Sequence, residues 1–274
     1  MTCRTPDIRL KTLTRRLTER VDDGSGKPHR AWVETIDISS HGFQTRMYCV
    51  KAGRVLHLHS HGEHAAALEA WWREDVIDIS DQKALSLEKT CRAAACLGIK
   101  HPVYGKLRSP AVLSTDLFLT LCNDGVQSYE AQTVKNARAR IGGRTERLVS
   151  IERETWRLEG VPWKLVLVDG MNANRSKNLA WLQRCENDMH VWRASDNETE
   201  ARAHLLDRLI ARTDQRIIDA CRMVDAQFGY ELGTAARAFR QLVTLRRVLI
   251  NLNCGDPIFE PLTAVDIVEE GRRR

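Results

Sequence analysis

The sequence predicts an α/β protein built on a small mixed sheet and joined to a second, mostly helical domain. Three observations carry that reading. Strand-like runs come in pairs joined by turn signals before residue 140, helix-spaced apolar residues lie between them, and beyond about Met189 helix follows helix. The 274 residues, 43% of them apolar, suffice for one large domain or two medium ones with proper cores. Lys plus Arg number 42 against 36 Asp plus Glu, a net charge of +6 that suits an anionic partner such as nucleic acid. The apolar runs Trp163 to Val168 and Val248 to Ile250 fall far short of the ~20 residues of a membrane span, and Met1 to Arg16 holds no apolar signal region. Eight scattered cysteines without a CxxC pair read as reduced thiols, so the expectation is a cytoplasmic protein with no membrane span.

In chain order, Arg9 to Arg20 sets Leu10, Leu13 and Leu17 at helical spacing in a basic segment, followed by a loop from Asp22 to Pro28. The helix reads either as a solvated basic face over a small apolar stripe or as a phosphate-contacting arm. Arg46 to Val50 and Arg54 to Ser60 form a hairpin around Lys51-Ala-Gly53. A helix from Glu63 to Trp72 follows, with Ser60 and Glu63 at capping-box spacing. Next come a short strand at Val76 to Ile79, a helix at Lys89 to Leu97, and strands at Ala111 to Thr120 and Ser128 to Lys135 around the turn Asn123-Asp-Gly125. A helix from Arg144 to Leu158, a strand from Trp163 to Val168 and a helix from Lys177 to Arg184 complete a first domain of residues 1–188. In residues 189–274, Ser195-Asp-Asn-Glu198 caps a helix reaching Ala211, helices span Asp214 to Gln227 and Thr234 to Leu245, and Arg246 to Leu252 is a strand, the order of a winged-helix module. Arg237 and Arg240 share one face of the third helix, an element that often enters a DNA groove in such modules.

Two constellations bear chemistry. His57-Leu-His-Ser-His-Gly-Glu-His64 contains HxHxEH through His59, His61, Glu63 and His64, close to the zinc motif of metallo-β-lactamase-type hydrolases. The downstream His and Asp ligands such enzymes need have no matching loop here, and a row of histidines at a strand end is the plainer reading. The second joins Glu63 on a helix, Asp116 within an apolar strand, and Thr133-Val-Lys135 at the end of the next strand. Two carboxylates make a hard-oxygen site of the kind Mg²⁺ favours, and a lysine beside it can orient water, the layout of a PD-(D/E)XK nuclease core. Asp116 sits among Leu113, Leu117, Phe118 and Leu119, where a charge needs a partner, a metal or local hydrogen bonds.

Ordered matches along nearly the whole chain sharpen this. They are Gly24 to Trp32, Ser39 to Gly42, Gly53 to His57 with Ser60 and Glu63, Asp78-Ile79, Gly98 to Pro102, Ser114 to Asp116, Val134-Lys135, Glu152-Arg153 with Trp156, Val161 to Trp163, and Glu231 to Gly233. On these residues the chain resembles the TnsA family, endonuclease subunits of heteromeric cut-and-paste transposases. The resemblance implies a restriction-endonuclease-like mixed sheet flanked by helices, with a winged-helix-like C-terminal domain. It places Glu63, Asp116 and Lys135 on the family's catalytic positions and makes the Val134 carbonyl a further metal ligand. It also implies Mg²⁺, as one or two ions with Mn²⁺ able to substitute, and hydrolysis of the 5′ strand at transposon ends. The implied partners are DNA, a TnsB-type transposase and a TnsC-type ATPase that docks on the C-terminal domain. One departure stands out. Where the family carries Gln or Glu two residues before the lysine, this chain has Thr133, with Gln132 one place earlier. Strand alternation sets Thr133 with Lys135 and turns Gln132 away, so Thr133 supplies a hydroxyl or leaves room for water unless a bulge brings Gln132 round. A non-catalytic DNA-binding or assembly subunit, its nuclease core decayed at Thr133, is the alternative.

Overall fold

The computed structural model describes residues 8–21, 28–37, 43–136, 143–168 and 171–268. The match at Ser39 to Gly42, most of the loop from Asp22 to Pro28, and residues 24–27 of the first match lie outside them. The chain divides into two compact units, 1–170 and 171–274.

The first unit opens with α1 (Leu10–Arg20), which buries Leu13 and leaves Leu10 and Leu17 exposed. Its basic face is partly spent inside the protein: Arg16 and Arg20 both pair with Asp37, at 2.6 and 2.7 Å. Strands β1 (Thr45–Cys49) and β2 (Arg54–Leu58) form the expected antiparallel hairpin. Gly53 sits at φ +63 in its turn, a conformation that costs glycine little. Arg54 then donates to Asp78 Oδ2, the Ile79 carbonyl and Ser80 Oγ at 2.7–3.0 Å, so the Gly53-Arg54 and Asp78-Ile79 matches are two halves of one clamp.

Helix α2 (His61–Trp72) leads into β3 (Val76–Ala84), followed by α3 (Leu87–Cys96), β4 (Ser114–Asn123), β5 (Val126–Lys135), α4 (Arg144–Leu158) and β6 (Trp163–Leu167). The sheet order is β3-β4-β5-β6. The first two pairings are antiparallel and the last is parallel, with α4 as the crossover. The β4–β5 turn carries Asp124 and Gly125 at φ +50 and +79, the pair of positive values that a two-residue hairpin turn of the I′ kind requires. On one face Phe118 stacks on Trp156 of α4, in a cluster with Leu85 and Ala131. On the other, α2 lies so close that Gly62 faces Val134 and Val168 with no room for a side chain. β3 is nine residues long, whereas the sequence reading ended it at Ile79. Buried Asp81 and Gln82 broke the apolar pattern, although both are held by hydrogen bonds inside the fold.

The second unit holds α5 (Ala173–Trp192), α6 (Asp196–Leu209), α7 (Ile217–Phe228) and α8 (Thr234–Thr244), then an antiparallel pair, β7 (Val248–Ile250) and β8 (Val265–Ile267). Three helices and a two-stranded wing follow the expected order, and the capping box at Ser195 and Glu198 is complete. Two details differ from the sequence reading. Strand β8 had no recognisable pattern, being three residues long. A boundary at residues 188/189 falls inside α5, which begins at an Asn172 cap and buries Leu179, Leu182 and Cys185 in a unit where it packs on α8. α8 starts at Gly233 (φ +96), and buried Asp225 accepts the Gly233 and Ala235 amides at 2.7 and 2.8 Å, which accounts for the Glu231-Leu-Gly233 match. Arg237 and Arg240 are not laid out for a groove. Arg237 pairs with Glu198 at 2.6 Å and Arg240 donates to the Trp181 carbonyl at 2.9 Å. No helix among the described residues is long and apolar enough to cross a membrane.

Candidate active site

Glu63 stands in the first turn of α2, where Ser60 Oγ accepts its backbone N–H at 3.1 Å. Its carboxylate accepts from the Ser60 hydroxyl at 3.0 Å and from the His59 N–H at 2.9 Å, so the predicted box closes one residue earlier than its usual form. The side chain is thereby fixed, nearly enclosed, at the sheet. Burial first, and the Asp116 carboxylate second, push its pKa up to about 7 against those bonds.

Asp116, the third residue of β4, receives the Val134 N–H at 2.8 Å and the Lys135 ammonium at 3.2 Å on the same oxygen. Lys135 Nζ also donates to the Val134 carbonyl at 2.9 Å. Burial works against that ammonium, but Asp116, then Glu152 and Glu63, hold its pKa above the ordinary lysine value. Thus Glu63, Asp116, Lys135 and the Val134 carbonyl lie together at one end of the sheet.

Thr133 shares the Lys135 face, but its hydroxyl is committed: it donates to Glu152 of α4 at 2.7 Å and accepts the Trp163 indole N–H at 2.9 Å. The alternative ligand, Gln132, lies on the opposite face, donating to Glu130 Oε1 at 2.6 Å. β5 keeps an unbroken register with both neighbours, so no bulge turns Gln132 round. Glu130 is itself closed by Arg73 and Lys164 at 3.0 and 2.6 Å.

Two site residues escaped the sequence reading. Glu152 is buried, and burial followed by Asp116 pushes its pKa up to about 7 against hydroxyl bonds from Thr133 and Thr115. It appeared among the family matches without a role; one helical turn on, Trp156 ties its indole N–H to Thr115 Oγ1 at 2.7 Å. Gln82 of β3 donates to both Glu63 Oε2 and Asp116 Oδ1, at 3.4 and 3.2 Å. Nothing in its sequence neighbourhood marked it.

The histidines do not form a zinc centre. His57 Nδ1 accepts the Thr35 N–H at 3.2 Å, His59 Nε2 lies 3.0 Å from the Val33 carbonyl, and His61 stacks on Phe43 at 3.6 Å. No group of three His, Cys, Asp or Glu side chains able to hold a metal occurs among the described residues. A cation site here therefore draws on oxygens of mixed kind. Two carboxylates and a backbone carbonyl converge, all hard donors, and the ammonium among them shows that the pocket accepts positive charge, so these residues fit Mg²⁺.

A helix, three antiparallel strands, a crossover helix and a parallel fourth strand, with Glu63 of α2 brought beside Asp116 and Lys135 of β4 and β5, make a restriction-endonuclease-like mixed sheet flanked by helices. The chain belongs to the TnsA family. It is 32% identical over 240 residues to the transposon Tn7 transposition protein TnsA of Escherichia coli, covering 88% of this chain and 85% of that one. The family model described as TnsA endonuclease C terminal matches residues 171–252, beginning where the second unit begins.

Proposed function

We propose that this chain is the Mg²⁺-dependent endonuclease subunit of a transposase, hydrolysing the 5′ strands at the ends of a mobile element. The observation that carries the reading is the meeting of Glu63, Asp116 and Lys135 at one end of the mixed sheet in a TnsA-family chain. Glu63, Asp116 and the Val134 carbonyl would hold the cation. When bound, it supplies a polarised phosphate and a water of lowered pKa. The protein's own groups do the rest. Asp116 is fixed through Oδ2 by the Val134 N–H, which turns its Oδ1 towards Gln82 and Glu63; Lys135 brings a positive charge to the attacking water and to the charge growing on the phosphate. Water oxygen bonds to phosphorus as the ester oxygen leaves. Family membership further supports a companion TnsB-type transposase for the other strand and a TnsC-type ATPase docking on residues 171–274.

The test is strand-specific mapping of nicks on a transposon-end substrate with the companion transposase and Mg²⁺ or Mn²⁺. Wild type is expected to nick the 5′ strand, and Asp116→Ala to leave it intact while still joining its partners. Wild-type 5′ cleavage by the variant overturns the site. A wild-type chain that assembles and leaves the 5′ strand whole in both metals would be a non-catalytic assembly subunit.

A further inference from the structure

Gln82 lies between the paired residues Asp81–Leu117 and Lys83–Thr115, so it stands directly across the ladder from Asp116. It is 6% exposed and holds φ +42, the left-handed region, which is costly for a residue with a side chain and persists where the surroundings enforce it. The main chain is pinned there, its carbonyl accepting the Trp32 N–H at 2.8 Å. The result aims the amide at the two carboxylates. Nε2 gives one hydrogen to Glu63 and one to Asp116, while Oε1 accepts the Ser114 hydroxyl at 3.0 Å.

An amide nitrogen between two carboxylates stands where a cation shared by them would be drawn. Thr133, on the strand position where the family carries Gln or Glu, has its hydroxyl turned to Glu152 and offers no such group. We infer that Gln82 is the amide ligand of this chain's cation site, bridging Glu63 and Asp116 through Nε2 in the metal-free protein and presenting Oε1 when the cation is held. The terminal torsion of glutamine is broad and two-fold, so the amide turns over with little strain. Ser114 permits the turn, because a hydroxyl that donates to Oε1 can equally accept from Nε2. The inference rests on the cation-dependent reading above and assigns one more oxygen to that site.

Mn²⁺ binding, followed by electron paramagnetic resonance on the full chain without DNA, tests it independently of cleavage. Wild type is expected to bind Mn²⁺ and Asp116→Ala to lose it. Gln82→Leu, close in size but without the amide, is expected to bind at least tenfold more weakly with unchanged circular dichroism, and Gln82→Glu more tightly than wild type. Gln82→Asn suits the left-handed backbone but ends one methylene short. It is expected to weaken binding as Leu does, and serves if the leucine variant does not fold. Wild-type Mn²⁺ affinity in the Leu or Asn variant, with binding lost in Asp116→Ala, overturns the inference alone. Absence of Mn²⁺ binding by wild type overturns the parent reading and this ligand with it.

Discussion

At the scale of single residues, the site concentrates charge that the fold does not neutralise by itself. Three carboxylates surround one ammonium, and two of them, Glu63 and Glu152, have pKa values pushed up to about 7. The sign of the consequence for stability is fixed. An acid whose folded pKa lies above its unfolded value of 4.5 holds its proton in the native state while the unfolded chain has released it. Stability from this source is full below about pH 4.5 and is lost as pH rises towards about 7. Glu152 gives the cleaner test, since it touches Thr133 and Thr115 but no proposed metal ligand. Ionising it costs about 3 kcal/mol at most, at about 1.4 kcal/mol per pKa unit. Glu152→Gln removes the titration. In EDTA, the stability difference between variant and wild type is expected to move in the variant's favour by up to about 3 kcal/mol between pH 4.5 and pH 8. Urea denaturation at both pH values checks it, and a difference that does not change with pH would refute the role of this carboxyl. Residues on strands with clean alternation were legible in advance: the shared face of Thr133 and Lys135 and the turn of Gln132 to the opposite face follow from period two. Gln82 was not, because its positive φ breaks that period in a stretch too polar to read as a strand.

At the scale of elements, several of the family matches proved to be joints. Gly98 ends α3 at φ +65, and His101 of the same motif reaches Thr90 Oγ1 at 3.1 Å. The Arg54–Asp78 clamp ties the hairpin to β3. Sequence patterns located α2, α4, β5 and β6 to within a few residues because each has a clear apolar period and a cap or turn at its end. They could not show how closely α2 approaches the sheet. A Cβ on Gly62 would fall inside van der Waals contact with Val168 Cγ2 and 3.3 Å from Val134 Cγ1. Valine is stiff at χ1, so neither neighbour gives way easily. Gly62→Ala should therefore destabilise by about 1–3 kcal/mol through overpacking, against a gain of up to ~1 kcal/mol from helix propensity. Because Glu63 is the next residue, cleavage should fall with stability. A variant as stable and active as wild type in denaturation and nicking assays would show that α2 does not approach Val134 this closely.

At the scale of the whole molecule, the chain is two units with separate cores, and the change to repeated helices in the sequence marked the second without locating its start. α5 runs unbroken through the point where the reading divided the chain: its buried Leu179, Leu182 and Cys185 lie in its middle, and the polar run Glu186-Asn-Asp188 follows them within the same helix. The division at residues 170/171 makes a definite claim about fragments. Residues 171–274 should melt cooperatively by circular dichroism. Residues 195–274 lack Leu179 and Leu182, each worth about 1.5–3 kcal/mol when buried, out of a total of about 5–15 kcal/mol for such a domain. They should melt broadly or be unfolded at room temperature. A sharp, equally stable transition in the shorter fragment would detach α5 from this unit.

Two of the indoles of the first unit have a use of their own. Trp156 donates its N–H to Thr115 and Trp163 donates its N–H to Thr133, and both hydroxyls in turn point their protons at Glu152. Each ring is thus wired to the same carboxyl through a single oxygen, one from α4 and one from β6. A charge gained or lost on Glu152 repolarises both hydroxyls and, through them, the electronic environment of both rings. Two of this unit's tryptophans therefore stand where their emission is expected to respond to the ionisation of a buried carboxyl.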